Sequence, residues 1–422
     1  MAWFGLADGN NFYCSCERVF KPALEEQPVI VLSNNDGCII SRSAEVKALG
    51  IKMGVPIFQI RDLVKQHNIA VFSSNYVLYG DMSARMMNTL SELCPAIEVY
   101  SIDEAFLDLS IIPAAELGEM ARRVRYTVRK WTKIPICIGI AQTKTLAKIA
   151  NKLAKKQPQH EGVFIIGDDE TRREILRNFP IEDVWGIGRQ HTKFLLECGI
   201  TTALQLAEMP DSWVKQHFTV VGVRTVFELR GMSCIPLMEP RETSKNICTS
   251  RSFGNPQTTH DGIAEAVATF ARRVGEKLRS ENSCATTLTV FLYTNRFRAD
   301  QKQYNNAVTI NLPVGASNGH ELVKYALNGL KMIFREGYIY KKTGVIVAGI
   351  VPAERIQTAL FDTVNRGKLD QLSNAMDKLN HRYGRGSVRF AVEGNSQWQP
   401  KANYCSPCYT TRWDELLKAE LS

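Results

Sequence analysis

Nowhere does the sequence hold an uninterrupted apolar run approaching the ~20 residues that span a bilayer, so no membrane helix is expected. Its start, Met-Ala-Trp-Phe-Gly-Leu-Ala-Asp-Gly-Asn, lacks the basic n-region of a secretory leader and reaches a carboxylate at position 8. A cytoplasmic protein is the expectation. The eleven cysteines are scattered and odd in number, without the paired spacing of a disulfide framework, which suits reduced thiols. Cys405-Ser406-Pro407-Cys408 is a lone CxxC with no second pair, and the nearest histidine is His381, so no zinc is expected there. Cys14 and Cys16 lack the His partner of a thiol enzyme and read as packing residues. Internal repeats and low-complexity tracts are also missing.

Acid is missing from residues 120–160, which carry eleven Lys and Arg. Residues 241–350 hold 15 basic and 8 acidic side chains, whereas residues 1–240 balance at 27 of each. Two separate basic regions in a chain of net charge +9 favour a polyanionic partner, because neutralising phosphates releases counterions. At 422 residues, 45% hydrophobic and 23% charged, the chain is long enough for two to four ordinary domains.

Periodicity places short strands at 2–8 and 28–33, a helix over 43–49, another over 81–93, and a β-hairpin over 96–110 around Asp103-Glu104. A helix over 114–131, a strand over 136–140 and a helix over 144–156 follow. From about 166 to 231 the pattern is of short helices punctuated by glycine. Residues 244–351 then read β-α-β-β-α-β, the split βαβ unit. The remainder is polar and irregular, with one amphipathic helix near 368–379.

Asp8 at a strand end and the adjacent pair Asp103 and Glu104 at a hairpin are the candidate chemistry. Divalent ions want several oxygen ligands, and phosphoryl transfer often uses two metals a few ångströms apart. An Asp-Glu pair at a hairpin is by itself more often a solvated turn. Val184-Trp185-Gly186-Ile187-Gly188-Arg189 is a tight glycine turn whose amides suit a phosphate. Val220-Val221-Gly222-Val223-Arg224 reads as a second, degenerate hairpin.

Asp8-Gly9-Asn10-Asn11-Phe12-Tyr13, Ser101-Ile102-Asp103-Glu104-Ala105-Phe106 and Thr145-Leu146-Ala147-Lys148-Ile149-Ala150-Asn151 together resemble the Y-family translesion DNA polymerases. Val31 to Cys38, Ser250 to Gly254 and Tyr409 to Trp413 resemble its UmuC-type branch. The resemblance covers essentially the whole chain. It implies an α+β multidomain fold, a right-hand polymerase with a ferredoxin-like palm (1–20 and 75–165) and small fingers (21–74). A helix-hairpin-helix thumb (166–241), a β-α-β-β-α-β little finger that binds DNA (242–352) and a C-terminal tail (353–422) complete it.

The same resemblance assigns residues by position. Asp8, Asp103 and Glu104 match the catalytic, metal-binding carboxylates, with the Gly9 carbonyl as a further ligand for two Mg²⁺ ions. Tyr13 matches the steric gate that rejects a 2′-hydroxyl, with Phe12 beside it. Ser41, Lys47 and Lys155 match positions that touch the triphosphate of a dNTP. Where many members carry Tyr and Arg, this chain has Ala44 and Lys47, and a lysine cannot make the arginine's bidentate fork; Arg42 is a candidate to share that task. Gly186, Gly188 and Arg251 are the DNA-backbone candidates. Gln357-Thr358-Ala359-Leu360-Phe361 resembles the peptide that binds the β sliding clamp, through Gln357, Leu360 and Phe361.

The implied activity is error-prone, template-directed translesion DNA synthesis in the bacterial SOS response, without a proofreading exonuclease and close to the nucleoid. The implied partners are primer-template DNA, the clamp, a cleaved UmuD dimer and the RecA filament. A non-catalytic DNA- and clamp-binding scaffold of polymerase fold is the rival. A metal-dependent nuclease on a similar palm is a third reading, in which Tyr13 has no purpose.

Overall fold

Every residue of the first strand, β1 (Phe4–Gly9), is buried, as expected of a strand covered on both faces. The structure, a computed structural model, describes residues 2–237, 244–357, 359–360, 362, 364–394 and 398–417. The chain divides into two units, one of residues 1–33, 37–240 and 404–422, the other of residues 34–36 and 241–403.

In the first unit the helix α1 (Phe12–Phe20) follows β1 through Asn11, which adopts the left-handed conformation at φ 49° that asparagine tolerates. Next come β2 (Val29–Leu32), β3 (Ile39–Arg42), α2 (Ala44–Ala48), α3 (Arg61–Gln66) and β4 (Ala70–Ser73). They form a three-stranded sheet ordered β3-β2-β4, around Ile30, Leu32, Ile39 and Val46. After α4 (Tyr76–Leu93), the hairpin β5 (Ala96–Val99) and β6 (Glu104–Asp108) leads to α5 (Leu117–Thr132), β7 (Ile136–Ala141), α6 (Lys144–Lys156) and β8 (Val163–Ile165). The five-stranded sheet has the order β5-β6-β1-β7-β8, with β1 in its centre. Pleating sends Ala7, Leu107 and Ile138 to the core shared with α4 and α5, whereas Leu6 and Phe106 pack with α6.

One glycine sets how closely α6 lies on that sheet. A Cβ at Gly139 in β7 would sit 2.0 Å from the backbone nitrogen of Asn151. The Asn151 amide in turn donates to the carbonyls of Leu6, at 3.0 Å, and Cys137, at 2.8 Å, tying α6 to β1 and β7. Gly139→Ala forces backbone against backbone and is expected to cost about 3 kcal/mol. A lowered thermal midpoint measures it; a variant that melts with the parent contradicts this packing.

Helices α7 (Asp169–Asn178), α8 (Arg189–Glu197), α9 (Ala203–Ala207), α10 (Asp211–His217) and α11 (Val220–Leu229) follow, short as their glycine punctuation predicts. Val220–Arg224, expected as a second hairpin, is instead the opening of α11. Gly222 serves close packing there, since a Cβ would meet the Phe218 side chain at 2.4 Å.

The second unit runs β9 (Asn246–Gln257), α12 (His260–Ser280), β10 (Ser283–Thr294), β11 (Asn305–Ala316), α13 (Gly319–Ile333) and β12 (Tyr340–Pro352). This is the β-α-β-β-α-β order read from the sequence. The antiparallel sheet is ordered β11-β10-β12-β9, and α12 and α13 bury one of its faces around Phe270, Leu288 and Val345. Helix α14 (Arg366–Tyr383) is held to α12 by a bidentate pair, Arg279 to Asp377 at 2.7 and 2.8 Å.

The described part of the expected tail is folded onto the rest of the protein. Residues 404–417 return to the first unit, where Tyr404 and Ser73 exchange hydrogen bonds and Tyr409 stacks on Phe20 at 4.8 Å. Among the described residues no helix is long and apolar enough to cross a membrane.

Candidate active site

Asp8 is the penultimate residue of β1 and Glu104 opens β6, and the antiparallel register makes them direct partners. The amide of Gly9 donates to the carbonyl of Asp103 at 2.8 Å, so the chain brings all three carboxylates to one end of the central strands. Ser101 organises the hairpin: its hydroxyl donates to Asp103 at 2.6 Å and accepts from the amides of Asp103 and Glu104.

Burial pushes the Asp8 carboxyl up to about 6, with Glu104 and Asp103 adding to the rise and Lys155 opposing it. Lys155 pairs with Asp8 at 2.5 Å, and Lys148 spans both oxygens of Glu104 at 3.1 and 3.0 Å. Among the described residues no three His, Cys, Asp or Glu side chains close into a cage for a metal ion. Asp8 and Glu104 are turned onto lysines and Asp103 onto the Ser101 hydroxyl instead. Their chemistry nevertheless suits Mg²⁺, which takes hard oxygen donors. A buried aspartate this reluctant to ionise gains from a divalent cation nearby.

On the first turns of α1, Phe12 is buried in the sheet core and Tyr13 is partly open. The Tyr13 ring stacks on Tyr79 at 4.5 Å and meets the edge of Tyr76 at 6.0 Å. The Tyr79 hydroxyl donates to the buried Glu17 at 2.7 Å, and Ser406 donates to the same oxygen at 2.9 Å. Burial pushes the Glu17 carboxyl above its ordinary value. A rigid aromatic wall thus stands behind Tyr13.

Lys47 donates to the side chain of Asn11. Burial, then Lys155 and Arg42, depress its ammonium below its usual range, so the three cations share one neighbourhood. Such crowding of like charge beside the carboxylates is relieved by an anion. Arg42 is partly spent on the carbonyl of Ile51. Ser41 is buried, its hydroxyl 3.3 Å from the Cys14 sulfur and 3.5 Å from the carbonyl of Asn11.

Gly186 has φ +91°, a left-handed turn that glycine adopts without strain, and Gly188 caps α8. In the second unit the face of the sheet away from the helices carries Thr289, Thr309, Ser250 and Lys342, with the Thr289 and Thr309 hydroxyls 2.8 Å apart. Arg251 is not on it. It shares the inner register of Ile247 and Phe253 and lines a cavity with Arg272 and Arg273 of α12. Gln357 is exposed and Leu360 is 91% exposed, while Phe361 lies outside the described residues.

Sequence reasoning assigned no role to Ser101, Lys148, Glu17, Tyr79 or Ser406. Lys148 sits four residues from Lys144 on α6, and its ammonium lies 4.5 Å from the Tyr100 ring and 5.4 Å from Trp185. Tyr76 and Tyr79, three apart on α4, form a visible aromatic pair, but nothing local reveals that they face Tyr13.

The model of the impB/mucB/samB family matches residues 7–152, and that of the family's C-terminal domain matches residues 244–360. A domain of unknown function, DUF4113, matches residues 370–419. Protein ImpB of Salmonella typhimurium is 43% identical over 99% of this chain and 100% of its own length. Protein UmuC of Salmonella typhimurium strain LT2 is 42% identical over the same shares. DNA polymerase IV 1 of Bacillus subtilis strain 168 is 27% identical over 90% of this chain and 91% of its own. Among solved structures, the Y-family DNA polymerase chimera Dbh-Dpo4(243-245)-Dbh superposes with a TM-score of 0.67 at 19% identity, covering 83% of this chain and 99% of that one. The chain belongs to the impB/mucB/samB family and is a UmuC-type Y-family DNA polymerase.

Proposed function

We propose that this chain copies damaged template DNA, adding a deoxynucleotide to a primer 3′-end at the site built on Asp8, Asp103 and Glu104. The register pairing of Asp8 with Glu104, beside the partly open ring of Tyr13, is the observation that carries this reading. Two Mg²⁺ ions held by the three carboxylates and the Gly9 carbonyl would supply activation of the 3′-hydroxyl and charge neutralisation at the triphosphate. Asp8 and Glu104 hold their oxygens in fixed register, and Ser101 fixes Asp103. Lys47 and Lys155 offset triphosphate charge, with Lys155 exchanging its pair with Asp8 for a phosphate, and the Ser41 hydroxyl adds a further contact to the triphosphate. Tyr13, backed by Tyr79 and Tyr76 with Phe12 beneath it, meets the 2′ edge of the incoming sugar.

The turn at Gly186 and Gly188 and the Thr- and Ser-rich outer sheet face fit sequence-independent contact with phosphates. The domain limits expected from the sequence stand as part of this proposal: palm, fingers, thumb, little finger and C-terminal tail. Kinship with UmuC supports a place in the SOS response, in the cytoplasm at the nucleoid, with a cleaved UmuD dimer, RecA and the β clamp as partners. Primer extension opposite an abasic site, with dNTPs, Mg²⁺, clamp, RecA filament and cleaved UmuD, tests the proposal. Metal-dependent lengthening supports it. DNA binding without extension favours the scaffold, and shortening of labelled DNA favours a nuclease.

Leu360 offers an apolar anchor to the clamp almost wholly bared to solvent. Leu360→Ala is expected to weaken clamp binding in calorimetry by roughly 10-fold or more, as for a hot-spot anchor, with clamp-free extension unchanged. Unchanged clamp affinity contradicts the motif.

A further inference from the structure

Within the second unit, three separated parts of the chain bring arginines around one cavity of about 300 Å³. Arg251 comes from β9, Arg272 and Arg273 from α12, and Arg385 and Arg389 from the segment after α14. Among the described residues, one carboxylate, Glu393, is in the cavity lining beside these arginines. Glu393 is already committed, accepting from Arg272 Nε at 2.8 Å and from the amide of Phe390 at 3.0 Å. The further carboxylate in reach, Glu276, also pairs with Arg272, at 3.8 Å. Among the described residues, Arg251, Arg273 and Arg385 have no ion pair.

Holding several unpaired guanidiniums together costs Coulomb energy that apolar packing does not require. Burial, followed by Arg251, Arg272 and Arg385, pulls Arg273 below the ordinary arginine range. A second, independent observation points the same way. Trp398 lines this cavity at 3% exposure, and its indole N–H has no hydrogen-bond partner among the described residues. An orphaned buried donor costs about 1–3 kcal/mol, which a ligand oxygen would relieve. The backbone here is also tightly set: a Cβ at Gly254 would lie 2.1 Å from the carbonyl of Gln399, so the Trp398–Pro400 segment lies directly against β9.

We propose that this cavity binds an anion carrying two or more phosphate groups, gripped by Arg251, Arg273 and Arg385 with the Trp398 N–H as a further donor. Guanidinium forks match phosphate oxygens in pairs, and the volume suits a compact oligophosphate rather than a whole nucleotide. The phosphates come either from a free oligophosphate or from consecutive links of a DNA strand. Arg385, Arg389, Glu393 and Trp398 all lie in the stretch matched by DUF4113, which gives that stretch the role of closing the cavity.

The test is calorimetric titration of tripolyphosphate into the full chain in EDTA, on a Lys47→Ala/Lys155→Ala background that disables the other candidate phosphate site. One saturable site is expected, weakened at least tenfold by Arg273→Ala and by Arg385→Ala. Arg298→Ala, at an exposed arginine paired with Asp300, leaves it unchanged. Arg385 is exposed, so its variant keeps the test valid if Arg273→Ala fails to fold. Absence of saturable binding, or binding indifferent to both variants, overturns the proposal. Duplex DNA anisotropy separates the sources. If Arg385→Ala lowers the salt slope by about one and tripolyphosphate competes, the phosphates are DNA's. Unaltered DNA binding beside lost tripolyphosphate binding assigns a free oligophosphate.

Discussion

Replacing Asp103 with alanine is expected to abolish primer extension, by roughly 10³-fold or more, while leaving DNA affinity within a factor of two or so. Asp103 is tied to the chain by its carbonyl, which accepts from Gly9, and its carboxylate is held by Ser101. The alanine variant keeps the backbone bond and loses the carboxylate, together with its hydrogen bond from Ser101. Folding is therefore preserved, and a melting curve that overlays the parent's checks this. Three carboxylates share the cation charge on this account, so removal of one loses charge stabilisation that two cannot restore. A variant that extends primers as well as the parent would show that the activity comes from elsewhere.

Tyr13→Ala is expected to raise ribonucleotide incorporation relative to deoxynucleotide by roughly 10²-fold, equivalent to about 3 kcal/mol. The ring cannot swing aside in the parent, because Tyr79 stacks on it and Tyr76 closes its edge. Tyr79 is itself anchored to Glu17, which Ser406 holds from the chain's C-terminal segment. If Tyr13 is the gate, discrimination is expected to rest on this wall and not on one ring alone. Single-nucleotide insertion with paired dNTP and rNTP measures the ratio. No change would mean that Tyr13 does not face the sugar.

What the sequence made legible was whatever local periodicity controls. Helix α6 begins at Lys144 and ends at Lys156, the limits the pattern indicates, because Thr143 caps it and its apolar residues recur on one face. The second unit's six elements were legible for the same reason, with Leu288, Val290 and Leu292 alternating inward. Long-range pairing was not legible. Asp103-Glu104 alone looks like a solvated turn and becomes a site only through register with Asp8. The folded end of the chain was invisible too, since Asn75 donates to Ser406 and Pro407 across most of the sequence. Nor does any local pattern show that the arginines of α12 and of the segment after α14 meet Arg251.

If Asp8, Asp103 and Glu104 hold the cations of nucleotidyl transfer, the number of bound ions depends on them. Counting Mn²⁺ bound to the full chain with primer-template DNA and a non-hydrolysable dNTP, by electron paramagnetic resonance, tests it directly. Two tightly held ions per chain are expected in the parent, with the loss of at least one in Asp103→Ala. Equal counts in the two proteins would contradict it.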